Sequence, residues 1–350
     1  CRGLGRQRCL SGVAPSASLR RCPYLPLPRG LGRSRSARPP NSRHARLVAA
    51  WDCPLGKANM ALLNLTAFTP RMACSVCSGL RELGGTADAD AFALWMSPAR
   101  LYEEGAAPRT AGLGLREAIS LCETVGFVSR TDGSLRLVAE FESLEDFRRA
   151  LCDAVLAPEL NIDLFESSPA GGVRAHELTR ALAWFMTLRS SLGPYSTANY
   201  ERFQTDGPRV IENDSRWAVF DRWVVFLGFA WRTSDGLVPD PTRVLVARLD
   251  EVLESGQELP LPEFLDRLAG RLPVLDGGAY HAALLAAAGA RWDKRRVREP
   301  LSLALMRLQR RGVLEFTGGG DAEARVFRVG SDIDSSNQFV KRPISKGAVA

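Results

Sequence analysis

The chain has 350 residues, 45% apolar, 24% charged and 8% aromatic, a globular composition with room for two or three domains that excludes a wholly disordered chain, a collagen and a disulfide-dense miniprotein. The formal net charge of +7 divides unevenly: residues 1–59 hold 12 of the 46 Lys and Arg against one acid, Asp52, while residues 60–350 hold 34 against 38 acids. The basic balance belongs to the first stretch, so it excludes any general argument for nucleic acid and leaves only a local one.

Residues 1–59 carry seven Pro and six Gly and show no apolar periodicity, which rules out regular structure there. The first methionine is Met60, and amphipathic segments begin at that point. The expectation is that translation starts at or near Met60 and that 1–59 is a disordered leader outside the native coding sequence. An organelle transit peptide and a disordered nucleic-acid-binding arm are the alternatives for an Arg-rich, acid-poor stretch. Nowhere is there an apolar run of secretory or membrane-spanning kind, so a cytoplasmic protein with reduced thiols and no membrane partner is expected.

Residues 60–141 open with a helix over 70–83. It carries Cys74 and Cys77 as a C-x-x-C. A zinc site needs a second pair or nearby histidines, and Cys122, Cys152, His176 and His281 are isolated. The pair is therefore expected to be core, with no metal. Thr86 is placed to cap a second helix. In LGLREAISLCETVGFV, Leu115, Ile119 and Cys122 share one face of a third, which Gly126 ends. Two strand-like runs then flank Asp132-Gly133, a strong hairpin signal. Helix, helix, helix, hairpin is the order of a winged helix.

Residues 142–232 carry three apolar-periodic runs and no hairpin signal, which predicts a helical middle domain over 142–239. Trp184, Trp217, Trp223 and Trp231 are expected in its core. Pro-Asp-Pro at 239–241 marks the next boundary. Over 240–330 two helices are followed by Gly277-Gly278 as a turn. The helix–Gly–hairpin pattern then returns, with VLEF and ARVFRV as the two strands around Thr317–Asp321. Residues 331–350 are expected to be a loosely ordered tail. The fold class is mainly α with small β-hairpin wings, an α+β protein with two winged-helix-like domains flanking a helical domain.

An internal repeat sharpens this. With Gly126 laid on Gly312, Leu115 meets Leu301, Ala118 meets Ala304, Ile119 meets Leu305 and Cys122 meets Leu308. The apolar positions agree and the exposed ones do not. The first copy shows Arg116, Glu117, Glu123 and Thr124. The second shows Arg307, Gln309, Arg310 and Arg311, preceded by Arg291, Lys294, Arg295, Arg296 and Arg298. Phosphate contact needs clustered Lys and Arg, and the third helix of a winged helix normally enters the major groove. Lys294, Arg295, Arg296, Arg298, Arg307, Arg310 and Arg311 are thus the candidate DNA-binding residues, a solvated basic face being the alternative. The first copy is better suited to protein contact or a structural role.

No Walker loop, G-x-G-x-x-G, H-E-x-x-H or G-x-S-x-G occurs, so no catalytic residue and no cofactor is assigned. MALLNLTAF, FDRWVVFLGFAW followed by VPDPT, and PLPEFLDRLAGRLPVLDGGAYHAAL resemble the bacterial family named DpdG, over about residues 60–330. The resemblance implies a component of a gene cluster that inserts 7-deazaguanine derivatives into DNA and restricts unmodified DNA. It implies no assigned catalytic activity, and helicase, ATPase or nuclease partners. The expected function is a non-enzymatic subunit of such a bacterial phage-defence system, contacting DNA and partner proteins. A protein-assembly scaffold and a DNA-acting enzyme with an unrecognised site are the rivals.

Overall fold

The computed structural model describes residues 61–98, 112–162, 164–165, 175–204, 207–318, 323–330 and 332–344. The leader and the glycine run 319–320 lie outside the described residues. Those described form an α+β fold in which helices predominate and the sheets are small and mostly antiparallel.

The N-terminal unit runs α1 (Pro70–Glu82), β1 (Thr86–Asp88), α2 (Ala89–Met96), α3 (Leu113–Thr124), β2 (Val128–Thr131) and β3 (Ser134–Leu137). Its sheet has the order β1-β3-β2. Thr86 does not cap α2. It pairs with Arg136 in β1, and Asp88 is the cap, accepting from the Ala91 N–H at 2.9 Å. The short strand was hidden because its partner lies some fifty residues downstream. Asp132 and Gly133 both take positive φ, 48° and 78°, as a type I′ hairpin turn requires.

The middle contains α4 (Leu144–Leu156), α5 (His176–Phe185) and α6 (Asp214–Leu227). Ser143 and Asn213 cap α4 and α6 through their side-chain oxygens. Tyr200 stacks on Trp217 at 4.6 Å, and Phe185 meets Tyr195, Trp217 and Phe220 edge-on. Phe68 packs on Trp223, and the Arg222 guanidinium donates to the Thr66 and Phe68 carbonyls, fastening the N-terminal segment to α6. Contrary to the sequence reading, this region also holds a hairpin, β4 (Ala230–Arg232) with β5 (Leu237–Pro239). Gly236 makes it possible: its φ is 145°, and a Cβ there would lie 2.3 Å from the Tyr195 carbonyl oxygen. Trp231, expected in the core, stands on β4 and is 65% exposed, whereas Trp184, Trp217 and Trp223 are buried.

The C-terminal unit runs α7 (Thr242–Val252), β6 (Glu258–Pro260), α8 (Leu261–Arg271), α9 (Ala279–Ala287), β7 (Arg296–Val297), α10 (Glu299–Arg310), β8 (Glu315–Thr317), β9 (Arg325–Val329), β10 (Asp332–Asn337) and β11 (Phe339–Lys341). The expected wing of VLEF with ARVFRV does not form. β8 pairs with β11, and β9 pairs with β10 and, in parallel, with β7. The expected loose tail instead supplies β11, the central strand of the sheet β6-β11-β8, with Val340 buried. That order repeats β1-β3-β2: the last strand sits between the first and the second. Helix ends repeat too. Phe127 N–H bonds the Cys122 carbonyl at 2.8 Å and Val313 N–H bonds the Leu308 carbonyl at 2.9 Å, past Gly126 and Gly312 at positive φ. Both are Schellman caps. The C-terminal unit therefore follows the N-terminal order, with α9, β7 and the β9–β10 excursion added.

One apolar core runs from Leu62 to Val340. Arg248, only 3% exposed, grips both Asp153 oxygens at 2.5 and 3.0 Å and ties α7 to α4. Among the described residues no helix is long and apolar enough to cross a membrane.

Candidate nucleic-acid interface

α10 organises the basic residues, and its own sequence explains its placement. Leu301, Ala304, Leu305 and Leu308 recur at helical spacing and are buried, as are Pro300 and Ser302. The Ser302 hydroxyl donates to the Val297 carbonyl at 3.0 Å and accepts from the Arg328 N–H at 3.2 Å. One side chain thus joins α10 to both β7 and β9. β7 and β9 run parallel, with Arg296 opposite Val326 and Val297 opposite Phe327. Arg298 follows β7 directly and Arg328 follows Phe327 on β9, and both line the same cleft.

The result is a cleft of about 340 Å³ at the N-terminal end of α10, lined by Arg189, Arg291, Arg296, Arg298 and Arg328 together with Trp292, Asp293 and Glu299. Two of the five arginines are spoken for. Arg189 bonds Glu299 at 3.1 Å and the Gly330 carbonyl at 2.8 Å, and Arg296 faces Asp293 at 3.4 Å. Among the described residues the guanidinium groups of Arg291, Arg298 and Arg328 make no hydrogen bond or ion pair. Lys294 and Arg295 lie in the exposed turn at its edge.

The other predicted residues lie at the opposite end of the helix. Arg298 precedes α10 and Arg311 follows it, which at 1.5 Å per residue separates them by roughly 20 Å. Arg307 is ion-paired with the buried Asp240, which also accepts from the Thr242 N–H at 3.0 Å. Arg307 and Arg311 line a second cleft, of about 600 Å³, with Arg232, Arg243 and Trp231. Arg310 is exposed and lines neither. The sequence therefore grouped seven residues that the fold separates: Arg296 and Arg298 meet in one cleft, Arg307 and Arg311 in the other. It missed Arg189 and Arg328, which are single arginines with no local cluster to mark them. At the α10 C-terminus, Arg307, Arg310 and Arg311 also complement the negative end of the helix dipole.

The family model described as DpdG-like matches residues 60–322. The chain belongs to that family. No curated protein and no solved structure matches it.

The DpdG-like span contains the turn LPVLDGGAY, which meets Trp292 and Arg298 of the first cleft. Here the two glycines are a steric necessity. A Cβ on Gly278 would lie 2.3 Å from the Pro273 carbonyl oxygen, and Gly277, at φ 82°, would press one into the Trp292 ring at 2.9 Å. The preceding Asp276 is fully buried, and burial pushes its carboxyl up to about 7. It accepts from the Arg298 N–H at 2.6 Å. Beside it, burial and then the Arg298 cation hold the His281 imidazole down at about 4. In this DpdG-like protein a neutral histidine and a buried acid thus support the arginine cleft. The C-x-x-C of α1 has a different setting: Cys77 is buried with its sulfur 3.9 Å from that of Cys122, and Cys74 is half-buried.

Proposed function

We propose that this DpdG-like protein is a non-enzymatic subunit of a bacterial 7-deazaguanine DNA modification and restriction system, acting in phage defence, and that it grips duplex DNA by its phosphates in the cleft at the N-terminal end of α10. The observation that carries the reading is the gathering of Arg291, Arg298 and Arg328 in one concavity, their guanidinium groups making no hydrogen bond or ion pair among the described residues. Like charges held together repel. A body that is otherwise net acidic has no stability reason to collect them, and a phosphate backbone supplies the missing charge.

Both units are taken as winged helices, supported by the shared strand order and the shared helix cap. In the C-terminal one the added β9 packs on α10 and covers part of the flank that a groove-inserted helix leaves bare. Contact is therefore assigned to the helix end and β9, not to the length of the helix. The N-terminal unit is assigned to protein partners, helicase or ATPase subunits of the same system; its exposed Leu94 and Trp95 suit such a surface.

Fluorescence anisotropy of a short labelled duplex tests this. The wild-type chain should bind, the Arg291→Ala/Arg298→Ala/Arg328→Ala variant should not, and Arg310→Ala should bind as the wild type does. A folded wild-type protein that ignores duplex DNA would establish the protein-scaffold reading instead.

A further inference from the structure

The second cleft has a character of its own, and the geometry points to single-stranded DNA as its occupant, one base stacked on Trp231 and an adjoining phosphate held by Arg311. Val225, Ala230, Val246 and Ala247 line it together with Trp231, four arginines, Thr242 and the acids Glu145 and Asp240. An indole 65% exposed on a strand edge leaves a large apolar face in water. The three remaining arginines are each matched by an acid. Arg232 pairs with Asp221 at 2.5 Å, Arg243 with Glu145 at 3.0 Å, and Arg307 with Asp240. Among the described lining arginines Arg311 alone makes no side-chain hydrogen bond or ion pair.

The cleft thus offers one open aromatic face and one uncompensated cation beside apolar side chains, in a volume suited to a small organic group. That is the complement of a single nucleotide unit: every base has a π-face for an aromatic platform, and each carries one phosphate charge. In a duplex the bases are stacked on each other and closed to such a platform, so the occupant is an unpaired strand. An acidic peptide matches the cation but not the flat aromatic surface. The inference extends the DNA reading above to a second site at the other end of α10, and the two can fail separately because they use different residues.

The probe is a labelled oligothymidylate, followed by anisotropy on the full chain, with an abasic strand of equal length and charge and an acidic tyrosine-containing peptide as comparisons. Trp231→Ala is expected to weaken strand binding roughly tenfold to a hundredfold, Trp231→Phe to restore most of it, and Arg311→Ala to weaken it less. The abasic strand should bind the wild type as weakly as the normal strand binds Trp231→Ala. Duplex affinity should be unchanged in Trp231→Ala, and Arg298→Ala/Arg328→Ala should weaken duplex binding while keeping the strand site. The inference is overturned if Trp231→Ala binds the strand like the wild type, if the abasic strand binds equally well, or if the peptide binds at this cleft and the oligonucleotide does not.

Discussion

The backbone N–H of Arg298 donates to the Asp276 carboxylate at 2.6 Å, linking the DGG turn to the start of α10. The bond keeps a buried acid beside the arginine cleft, and its effect on stability depends on pH. Asp276 takes its proton at about 7 in the folded chain against 3.8 for an ordinary aspartate. Its contribution to stability is full below about 4 and is lost as pH rises through about 7. His281, held at about 4 against an ordinary 6.5, acts in the opposite sense, and its contribution is lost as pH falls through that range.

Replacing Asp276 by Asn keeps an acceptor for the Arg298 N–H and removes the titration. The stability of Asp276→Asn relative to wild type should rise between pH 4 and 7, by at most about 1.4 kcal/mol per pH unit. Urea unfolding across that range checks it. A difference that stays constant with pH would contradict the assignment.

Ser302→Ala should destabilise the chain by about 1–3 kcal/mol, because it strands the buried Val297 carbonyl and removes the acceptor of the half-buried Arg328 N–H. The unfolding midpoint reports it. Duplex affinity should fall as well, since the same hydroxyl holds β7 and β9 in register around the cleft.

Arg307 and Arg310 share an exposed face in the sequence reading and should nonetheless behave differently. Arg307 neutralises the buried Asp240, but its own side chain is 40% exposed, so solvent screens part of the interaction. Arg307→Ala should cost about 1–2 kcal/mol of stability, with Arg310→Ala within about 0.5 kcal/mol of wild type. Thermal unfolding of the two variants side by side distinguishes them.

What the sequence made legible was local. Helices α3 and α10, their glycine ends and the Asp132-Gly133 turn rest on signals contained within a few residues. The failures in the two end units share one cause, long-range pairing. β1 needs β3, and β8 needs β11, which arrives only after the β9–β10 excursion. Three residues such as Glu315–Thr317 carry no sign of which strand they will meet. The same holds for the site. The run Arg291–Arg298 was visible, but Arg189 and Arg328 reach the cleft only through the Glu299 ion pair and the Ser302 hydroxyl. Trp231 looked like its buried neighbours because the β4–β5 hairpin turns it outward only once Gly236 has packed against Tyr195.

On the proposed function, duplex phosphates are held at the N-terminal end of α10 and not at its C-terminal end. The salt dependence of duplex affinity tests it most directly, since each phosphate contact contributes about 0.9 to the slope of log affinity against log salt. Arg298→Ala/Arg328→Ala should lower that slope by about 1.8 relative to wild type, and Arg307→Ala/Arg310→Ala should leave it unchanged. The opposite pattern, with the slope falling only for the second pair, would contradict the account and move the interface to the other end of the helix.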